Sequence, residues 1–184
     1  MASSTAGRLL IATPAINDGN FDRSVIFMLH HDPVGALGVV INRPGPLAID
    51  ELLPRWSDLA APPAMVFSGG PVEPDGFIAL GEIREEHESA AVIPNTDQLA
   101  TIDLESDPAI AAAFVDRLRI YRGYAGWAPG QLDGEIASGA WFIVDPHEGD
   151  LWHDRPENLC EEVLSRQPGT MKWFANAPAD PSVN

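Results

Sequence analysis

The chain has 184 residues, 45% hydrophobic and 21% charged, which is typical of one globular domain with a sizeable core. The formal net charge of −16, from 11 basic and 27 acidic residues, repels phosphate backbones and therefore disfavours generic nucleic-acid binding. The single cysteine, Cys160, excludes an intrachain disulfide, and no apolar run approaches the roughly 20 residues that span a bilayer.

The first predicted elements are a short strand and a hairpin. Leu9–Ala12 predicts a strand that ends at a threonine and a proline. Ser24–His30 and Ala36–Asn42 are rich in β-branched and other apolar residues, and the turn residues 32–35 between them predict an antiparallel hairpin. Gly38, inside the second of these strands, indicates a bulge or a close backbone approach.

The middle of the chain predicts short elements separated by loops. The proline-rich run 43–46 is expected to end strand pairing, because proline has no N–H to donate. A short helix and three strands are predicted beyond it, over Asp50–Trp56, Met65–Ser68, Phe77–Leu80 and Ala90–Ile93. The acidic stretches Glu82–Glu88 and Asp97–Asp107 are interpreted as solvated surface.

The last third begins with a helix signal, since Asp107 can cap a helix whose first residue is a proline. That helix is predicted over Pro108–Val115, and the alternation of polar and apolar residues then favours a strand over Arg117–Tyr124. A helix, a strand and a final helix are predicted over Pro129–Ser138, Ala140–Val144 and Glu157–Arg166, with Asp154 as the cap of the last one.

Helices and strands alternate without a regular βαβ period, an internal repeat or a second core. We therefore predict a single α+β domain over residues 1–184, with a mixed, strongly curved β-sheet and residues 1–8 and 176–184 as peripheral tails. The apolar stretch near the N-terminus is too short for a signal-peptide core, so we expect a cytoplasmic protein.

Three glycine-containing blocks stand in a fixed order along the chain: Leu9–Pro44, Phe67–Ile78 and Gly123–Ile136, the last followed by Trp141. Each block alone is a weak pattern, but the ordered set resembles the AlgH/YqgE-like family of small bacterial proteins. The resemblance implies an α+β fold whose sheet curls into a pseudo-barrel with flanking helices. It also implies a role proposed for that family, the regulation of alginate production, usually described as transcriptional control. It carries over no catalytic residues, and the run Gly76–Gly81 lacks a histidine that many relatives have there.

A first candidate site lies at the ends of the predicted hairpin and in the loop before it. Asp18, Arg23, Asn42 and Arg43 are polar residues that strand packing does not explain. Because antiparallel pairing joins the start of one strand to the end of the next, Arg23 and Asn42 are expected to be neighbours. They form either a cleft for an anionic or amide-bearing ligand or an ion pair that only fixes the loop.

Two further loops are candidate ligand contacts. Ser68, Gly69 and Gly70 follow a strand, where consecutive N–H groups can converge on an anion, or where a tight turn admits only glycine. Trp127 and Gln131 stand at a predicted helix start, where an anion can bind beside the indole, or where the indole simply plugs the end of the barrel.

The remaining polar groups favour structural roles. No metal and no cofactor is predicted, because the histidines and acids near His147 and His153 lack the spacing of a known metal site. No serine lies in a nucleophile motif, and acidic neighbours disfavour a Cys160 thiolate. Arg117, Arg119 and Tyr121 form the one basic and aromatic patch, which is expected to pair with nearby carboxylates rather than with nucleic acid.

These observations leave three functional hypotheses. The first is a non-enzymatic regulatory protein that acts through a protein or small-ligand partner, as a monomer or weak homodimer. The second is an enzyme or small-molecule-binding protein that uses a cleft near Arg23, Asn42, Gly69 and Trp127, with no catalytic residue assigned. The third, direct DNA binding, is opposed by the net charge.

Overall fold

The structure is a computed structural model that describes residues 4–14, 16, 21–84 and 91–176. Its centre is one ten-stranded sheet whose main path runs in the order β10-β1-β2-β3-β9-β6-β8-β7, with β4 and β5 attached beside β9. All the strand pairs are antiparallel except β5 with β9, so the sheet is mixed. The sheet is not closed, since β10 and β7 each have a single neighbour. The predicted fold class, α+β with one large mixed sheet, is confirmed.

The N-terminal hairpin forms as predicted. The strands are β1 Leu9–Ala12, β2 Val25–Asp32 and β3 Gly35–Val40, with β2 between the other two. The register of β2 against β3 shifts between Met28 and His30, opposite Gly38. A Cβ on Gly38 would lie 2.7 Å from the carbonyl oxygen of Phe27, so the bulge and the close approach expected at this glycine are both present.

The run of prolines after β3 does not end strand pairing, contrary to the prediction. β4 Pro44–Ala48 pairs with β5 Met65–Ser68 through an irregular register that joins Pro44 to Phe67 and Ala48 to Met65. Proline is tolerated here because, among the described strands, β4 pairs with β5 alone and needs few donors. The helix α1 Ile49–Leu52 and a 3₁₀ turn over Pro54–Leu59 then replace the single predicted helix.

The long strands of the sheet are β6 Val72–Ile83 and β9 Val115–Trp127, which pair with each other and extend the shorter predicted strands at both ends. β7 Val92–Thr96 and β8 Leu99–Ile102 complete this side. The interpretation of residues 97–107 as solvated surface is therefore wrong in part, because Leu99, Ala100 and Ile102 are buried in the core. Residues 85–90 of the first acidic stretch lie outside the described residues.

The helices are short and lie between or after the strands. α2 Pro108–Ala112 is capped as predicted, with the Asp107 carboxylate accepting from the N–H of Ala109 at 3.0 Å. α3 Gln131–Ala137 joins β9 to β10 Trp141–Val144. α4 Leu159–Ser165 follows a 3₁₀ turn over Pro156–Asn158, so Asp154 does not cap it; its N-cap is Asn158, without a side-chain hydrogen bond.

The sheet is strongly curved where it carries β10, β1, β2, β3 and β9. The rings of Trp127 in β9 and Trp141 in β10 have centroids 6.0 Å apart, although three strands separate them in the sheet. At about 4.8 Å per strand, a flat sheet would separate these two positions by at least about 19 Å. The curl therefore brings opposite edges of this half together around a core that includes Leu10, Ile26 and Leu132.

Candidate functional site

The hairpin end around Asn42 is occupied by structural hydrogen bonds. The Asn42 amide oxygen accepts from the N–H of Val25 at 2.8 Å, and its amide nitrogen donates to the carbonyl of Arg23 at 2.9 Å. Arg23 and Asn42 are neighbours, as expected. Since Asn42 is only 8% exposed and both ends of its amide are bonded, it holds the start of β2 and is not free for a ligand.

The two arginines of this elbow reach backbone carbonyls. Arg23, in the left-handed region at φ 52°, donates from Nη2 to the carbonyl of Ala175 at 3.2 Å. Arg43 donates from Nη2 to the carbonyl of Asp22 at 2.8 Å. Asp18 lies outside the described residues. The geometry of Arg23, Asn42 and Arg43 agrees with the interpretation that they fix the loop.

Ser68, Gly69 and Gly70 lie against the central strand β9. Gly69 donates to the carbonyl of Arg122 at 2.8 Å and accepts from the N–H of Val40 at 2.9 Å. A Cβ on Gly69 would overlap the carbonyl of Gly123, and one on Gly70 would overlap the backbone of Tyr124. These glycines are explained by close backbone packing, and the N–H of Gly69 is not available to an anion.

Trp127 and Gln131 make hydrogen bonds of their own, separate from those of Asn42. Trp127 pairs with Ala36, at the opposite end of β3 from Asn42. Its indole N–H donates to Glu135 at 2.9 Å, as does the indole of Trp141 at 2.8 Å, and Gln131 donates to the other oxygen of Glu135 at 2.9 Å. Trp127 is 7% exposed, which agrees with a plug at the end of the curled sheet.

A cleft of about 390 Å³ opens beside Ser68 and Gly70. Its walls are residues 45–47 of β4, residues 66–68 of β5, and Pro74 and Arg122 at the rim. This volume is at the lower end of the range for small-molecule sites, roughly 300–1,000 Å³. Among the described residues that line it, Arg122 is the one ionisable group, and most of the others are apolar.

Arg122 is held at the rim by an exposed segment of β6. Its Nε donates to the carbonyl of Pro74 at 2.6 Å, and its Nη2 to the Asp75 carboxylate at 2.7 Å. The Arg122 and Asp75 side chains are 46% and 92% exposed, so their ion pair is a surface pair of small net strength. Glu73, in the same segment, has φ 46°, and the register against β9 shifts between Val72 and Phe77.

The basic and aromatic patch of the sequence is mostly buried. Arg117 pairs with Glu82, as predicted, and its guanidinium lies 5.2 Å from the centroid of the Trp152 ring. Arg119 is 1% exposed and bonds no carboxylate among the described residues; it donates to the carbonyls of Leu151, His153 and Pro62.

Tyr121 completes this buried cluster. Its hydroxyl has no hydrogen-bond partner among the described residues, and its ring packs edge-on against Phe67 with centroids 5.8 Å apart. Burial raises the pKa of Tyr121 and lowers the pKa of Arg119, because it disfavours the charged form of each. The expectation that both arginines pair with carboxylates is therefore correct for Arg117 and wrong for Arg119.

The histidine and acid cluster near residue 150 is also structural. Asp150 accepts from the N–H of His147 at 2.8 Å and pairs with Arg166, and Nε2 of His153 lies 2.8 Å from Glu162. In the part of the chain that the structure describes, no group of three or more His, Cys, Asp and Glu side chains is placed to hold a metal ion. Cys160 is buried, and burial raises the pKa of its thiol.

Sequence reasoning found Ser68 and Gly70 but missed Arg122, Pro74 and the β4 wall of the cleft. The sequence does contain a pattern that could have pointed to Arg122. Leu118, Ile120 and Arg122 are spaced two residues apart on β9 and share one face of the strand, where Leu118 and Ile120 are buried and Arg122 is the first polar residue after them. Nothing in the sequence pattern indicated that β4 would fold back beside β5.

The fold and the cleft define a small α+β protein with an open, curled, mixed sheet and a ligand-sized cleft beside its central strand. The chain belongs to the AlgH-like family, whose model matches residues 9–172. It is 44% identical over 186 residues to a UPF0301 protein of Streptomyces coelicolor, covering 99% of this chain and 96% of the relative.

Two solved structures share the fold. The solution structure of the AlgH protein from Pseudomonas aeruginosa matches with a TM-score of 0.72 and 29% identity, over 97% of this chain and 96% of that one. A crystal structure of a Corynebacterium diphtheriae protein matches with a TM-score of 0.87 and 24% identity, over 96% of this chain and 94% of that one. In the described part of the chain, no helix has the length and apolar character needed to cross a membrane.

Proposed function

We propose that this protein is a non-enzymatic, cytoplasmic regulatory protein that acts by binding a small ligand in the cleft between β4, β5 and Arg122. The cleft carries the proposal, since it combines apolar walls, a volume suited to a small molecule and one guanidinium at its rim. The elbow site predicted from the sequence is a weaker candidate than the cleft, because structural hydrogen bonds occupy both ends of the Asn42 amide.

The test is a thermal-shift screen of the full chain against nucleotides, cofactors, metal ions and small organic acids. A ligand that binds only the native state raises the melting temperature. We expect hits with the natural sequence and none with Ser68→Trp, which fills the cleft. Asp116→Trp, an exposed residue elsewhere on β9, is the matched control and keeps the hits.

Two outcomes contradict the proposal. One is that no compound stabilises the natural sequence, and the other is that Ser68→Trp responds as the natural sequence does. An NMR spectrum of each hit after prolonged incubation tests the non-enzymatic part, because the compound should be recovered unchanged.

A second candidate function is protein binding, favoured by Trp173. This side chain is 72% exposed, and exposed tryptophans are common anchors of protein interfaces. If a partner binds here, Trp173→Ala weakens its capture at least ten-fold while leaving the melting temperature unchanged. Direct DNA binding is not proposed, because of the net charge of −16. A titration with duplex DNA at physiological salt checks this, and binding at micromolar protein would contradict it.

A further inference from the structure

We infer that the ligand of this cleft is a monocarboxylate with an apolar body, its carboxylate bound by Arg122 and Ser68 together. The inference rests on the proposed function, since it takes the cleft to be a binding site and names the chemistry of its occupant.

The first support is the placement of two donors side by side. Ser68 of β5 and Arg122 of β9 are direct partners in the parallel register of these strands, and both line the cleft. Within the described residues, neither the Ser68 hydroxyl nor the Nη1 of Arg122 makes a hydrogen bond. A hydroxyl and a guanidinium can each donate to one oxygen of a carboxylate, so this pair matches that group.

The second support is that the chain already places a carboxylate on this guanidinium. Asp75 occupies Nη2 from the solvent side, at 2.7 Å, with 92% of its side chain exposed. Exposed pairs of this kind contribute little net free energy, so a ligand carboxylate can share or replace this contact at small cost. The bond from Nε to the carbonyl of Pro74 remains and keeps the guanidinium oriented towards the rim.

The charge of the cleft favours one negative charge over two. Arg122 is the single ionisable group among its described lining residues, and the chain as a whole carries −16. A phosphate monoester would bring a second negative charge with no second cation to meet it. Carboxylates beyond about 8 Å are screened at physiological ionic strength, so Asp75 is the near negative charge with which a monoanion competes for the guanidinium.

The walls define the rest of the ligand. Pro46, Leu47 and Pro74 supply apolar surface to the cleft, whereas the side chains of Val66 and Phe67, which also line it, are buried, with 3% and 0% exposed. Burial of an apolar body against such walls supplies most of the binding free energy, and the carboxylate supplies orientation and selectivity. Amines lack the carboxylate, and neutral polar molecules lack both the carboxylate and the apolar body.

The inference is tested with four probes that share one apolar body: 4-phenylbutyrate, its amide, 4-phenylbutylamine and 4-phenylbutyl phosphate. Each is titrated into the full chain by calorimetry and by ¹H–¹⁵N NMR. We expect 4-phenylbutyrate to bind about ten-fold more tightly than the amide, with shifts at Ser68, Gly70 and Arg122. Arg122→Met should abolish this preference while the amide binds as before, and Ser68→Ala should weaken carboxylate binding about two- to five-fold.

The matched control is Arg84→Met, which removes another exposed arginine paired with an aspartate at a distant part of the sheet and should leave the preference intact. Asp75→Asn should strengthen carboxylate binding, because it removes the competing acceptor. The inference is overturned if the carboxylate and the amide bind equally, if the phosphate or amine binds best, or if Arg122→Met keeps the preference. Absence of binding by all four probes also overturns it, whereas the proposed function is judged separately by the Ser68→Trp screen.

Discussion

Arg119 and Arg122 lie on the same strand, β9, but in opposite surroundings. Arg119 is 1% exposed, and its described hydrogen bonds all go to backbone carbonyls. Arg122 is 46% exposed and lies at the rim of a cleft, with Nη1 unbonded within the described residues. The guanidinium of Arg119 connects loops to the sheet. The guanidinium of Arg122 has a nitrogen, Nη1, that can donate to a ligand. The Nε of Arg119 is also unbonded among the described residues, but it is buried and no ligand can reach it. In this protein the burial of the guanidinium, rather than the residue type, separates structural from candidate functional arginines.

The largest expected effect comes from Arg119→Met, which removes the donor of three carbonyls, those of Leu151, His153 and Pro62. We expect a loss of about 2–4 kcal/mol in the free energy of unfolding, because a carbonyl left buried without its donor costs about 1–3 kcal/mol. Urea denaturation at pH 7 measures it, with Arg55→Met as the exposed control. A loss as small as that of the control would remove the distinction between the two arginines.

The second-largest effect is expected at Glu135, a carboxylate that, like the Arg119 guanidinium, makes several hydrogen bonds inside the fold. Glu135 accepts from the indoles of Trp127 and Trp141 and from Gln131, so Glu135→Gln leaves at least one of these donors without an acceptor. We expect the free energy of unfolding to fall by about 1–3 kcal/mol, together with a change in tryptophan fluorescence. Glu157→Gln, at an exposed position, should change neither. Equal effects of the two substitutions would show that the Glu135 hydrogen bonds are not stabilising.

Tyr121→Phe tests the buried cluster around Arg119 through the pH dependence of the free energy of unfolding. Burial raises the pKa of Tyr121 in the folded state, so above the unfolded value of about 10 the unfolded state loses the proton first. The stability that the neutral hydroxyl contributes is therefore complete below pH 10 and is lost as the pH rises above it, by up to about 1.4 kcal/mol per pH unit. Tyr121→Phe should flatten the curve above pH 10 and cost little at pH 7, since the hydroxyl has no described partner.

Urea denaturation between pH 7 and pH 11 checks this behaviour, with Tyr124→Phe as the control. If Tyr121→Phe keeps the steep fall above pH 10, the hydroxyl of Tyr121 is not the group that titrates.

The smallest effect on stability is expected from Arg122→Met. Its ion pair with Asp75 is exposed, and such pairs contribute roughly 0–1 kcal/mol. A loss below about 1 kcal/mol in the same urea experiment, set against the large loss for Arg119→Met, completes the comparison. A loss of several kcal/mol would assign Arg122 to the framework of the fold instead of the cleft.

Local patterns in the sequence were sufficient for much of the fold. The β2–β3 hairpin followed from β-branched residues around a turn, and Asp107 and Pro108 located the start of α2. β8 was missed because its four residues lie between acidic flanks, and composition averaged over that window hides a short buried strand. β4 was missed because proline excludes central strands but not edge strands.

The candidate site was harder to predict, because it depends on contacts between distant parts of the chain. Asn42 and Trp127 were placed in one cleft, but the register of β3 against β9 puts them at opposite ends of a strand. Arg117 and Arg119 share a strand face but differ in exposure. Arg117 forms a partly exposed ion pair with Glu82, whereas Arg119 is buried beneath the segment around Leu151, which the sequence pattern does not place there. The burial of a guanidinium is likewise a tertiary property that no local pattern displays.

The three-way pairing of β9 has a consequence for how the chain folds. β9 pairs with β3, β5 and β6, so each side of the sheet needs this one strand. A fragment that ends before Val115 would leave all three partners without it, and neither side could close its core. Since these pairings join residues as distant as Ala36 and Trp127, we expect slow assembly and a single cooperative unfolding transition rather than two separable halves.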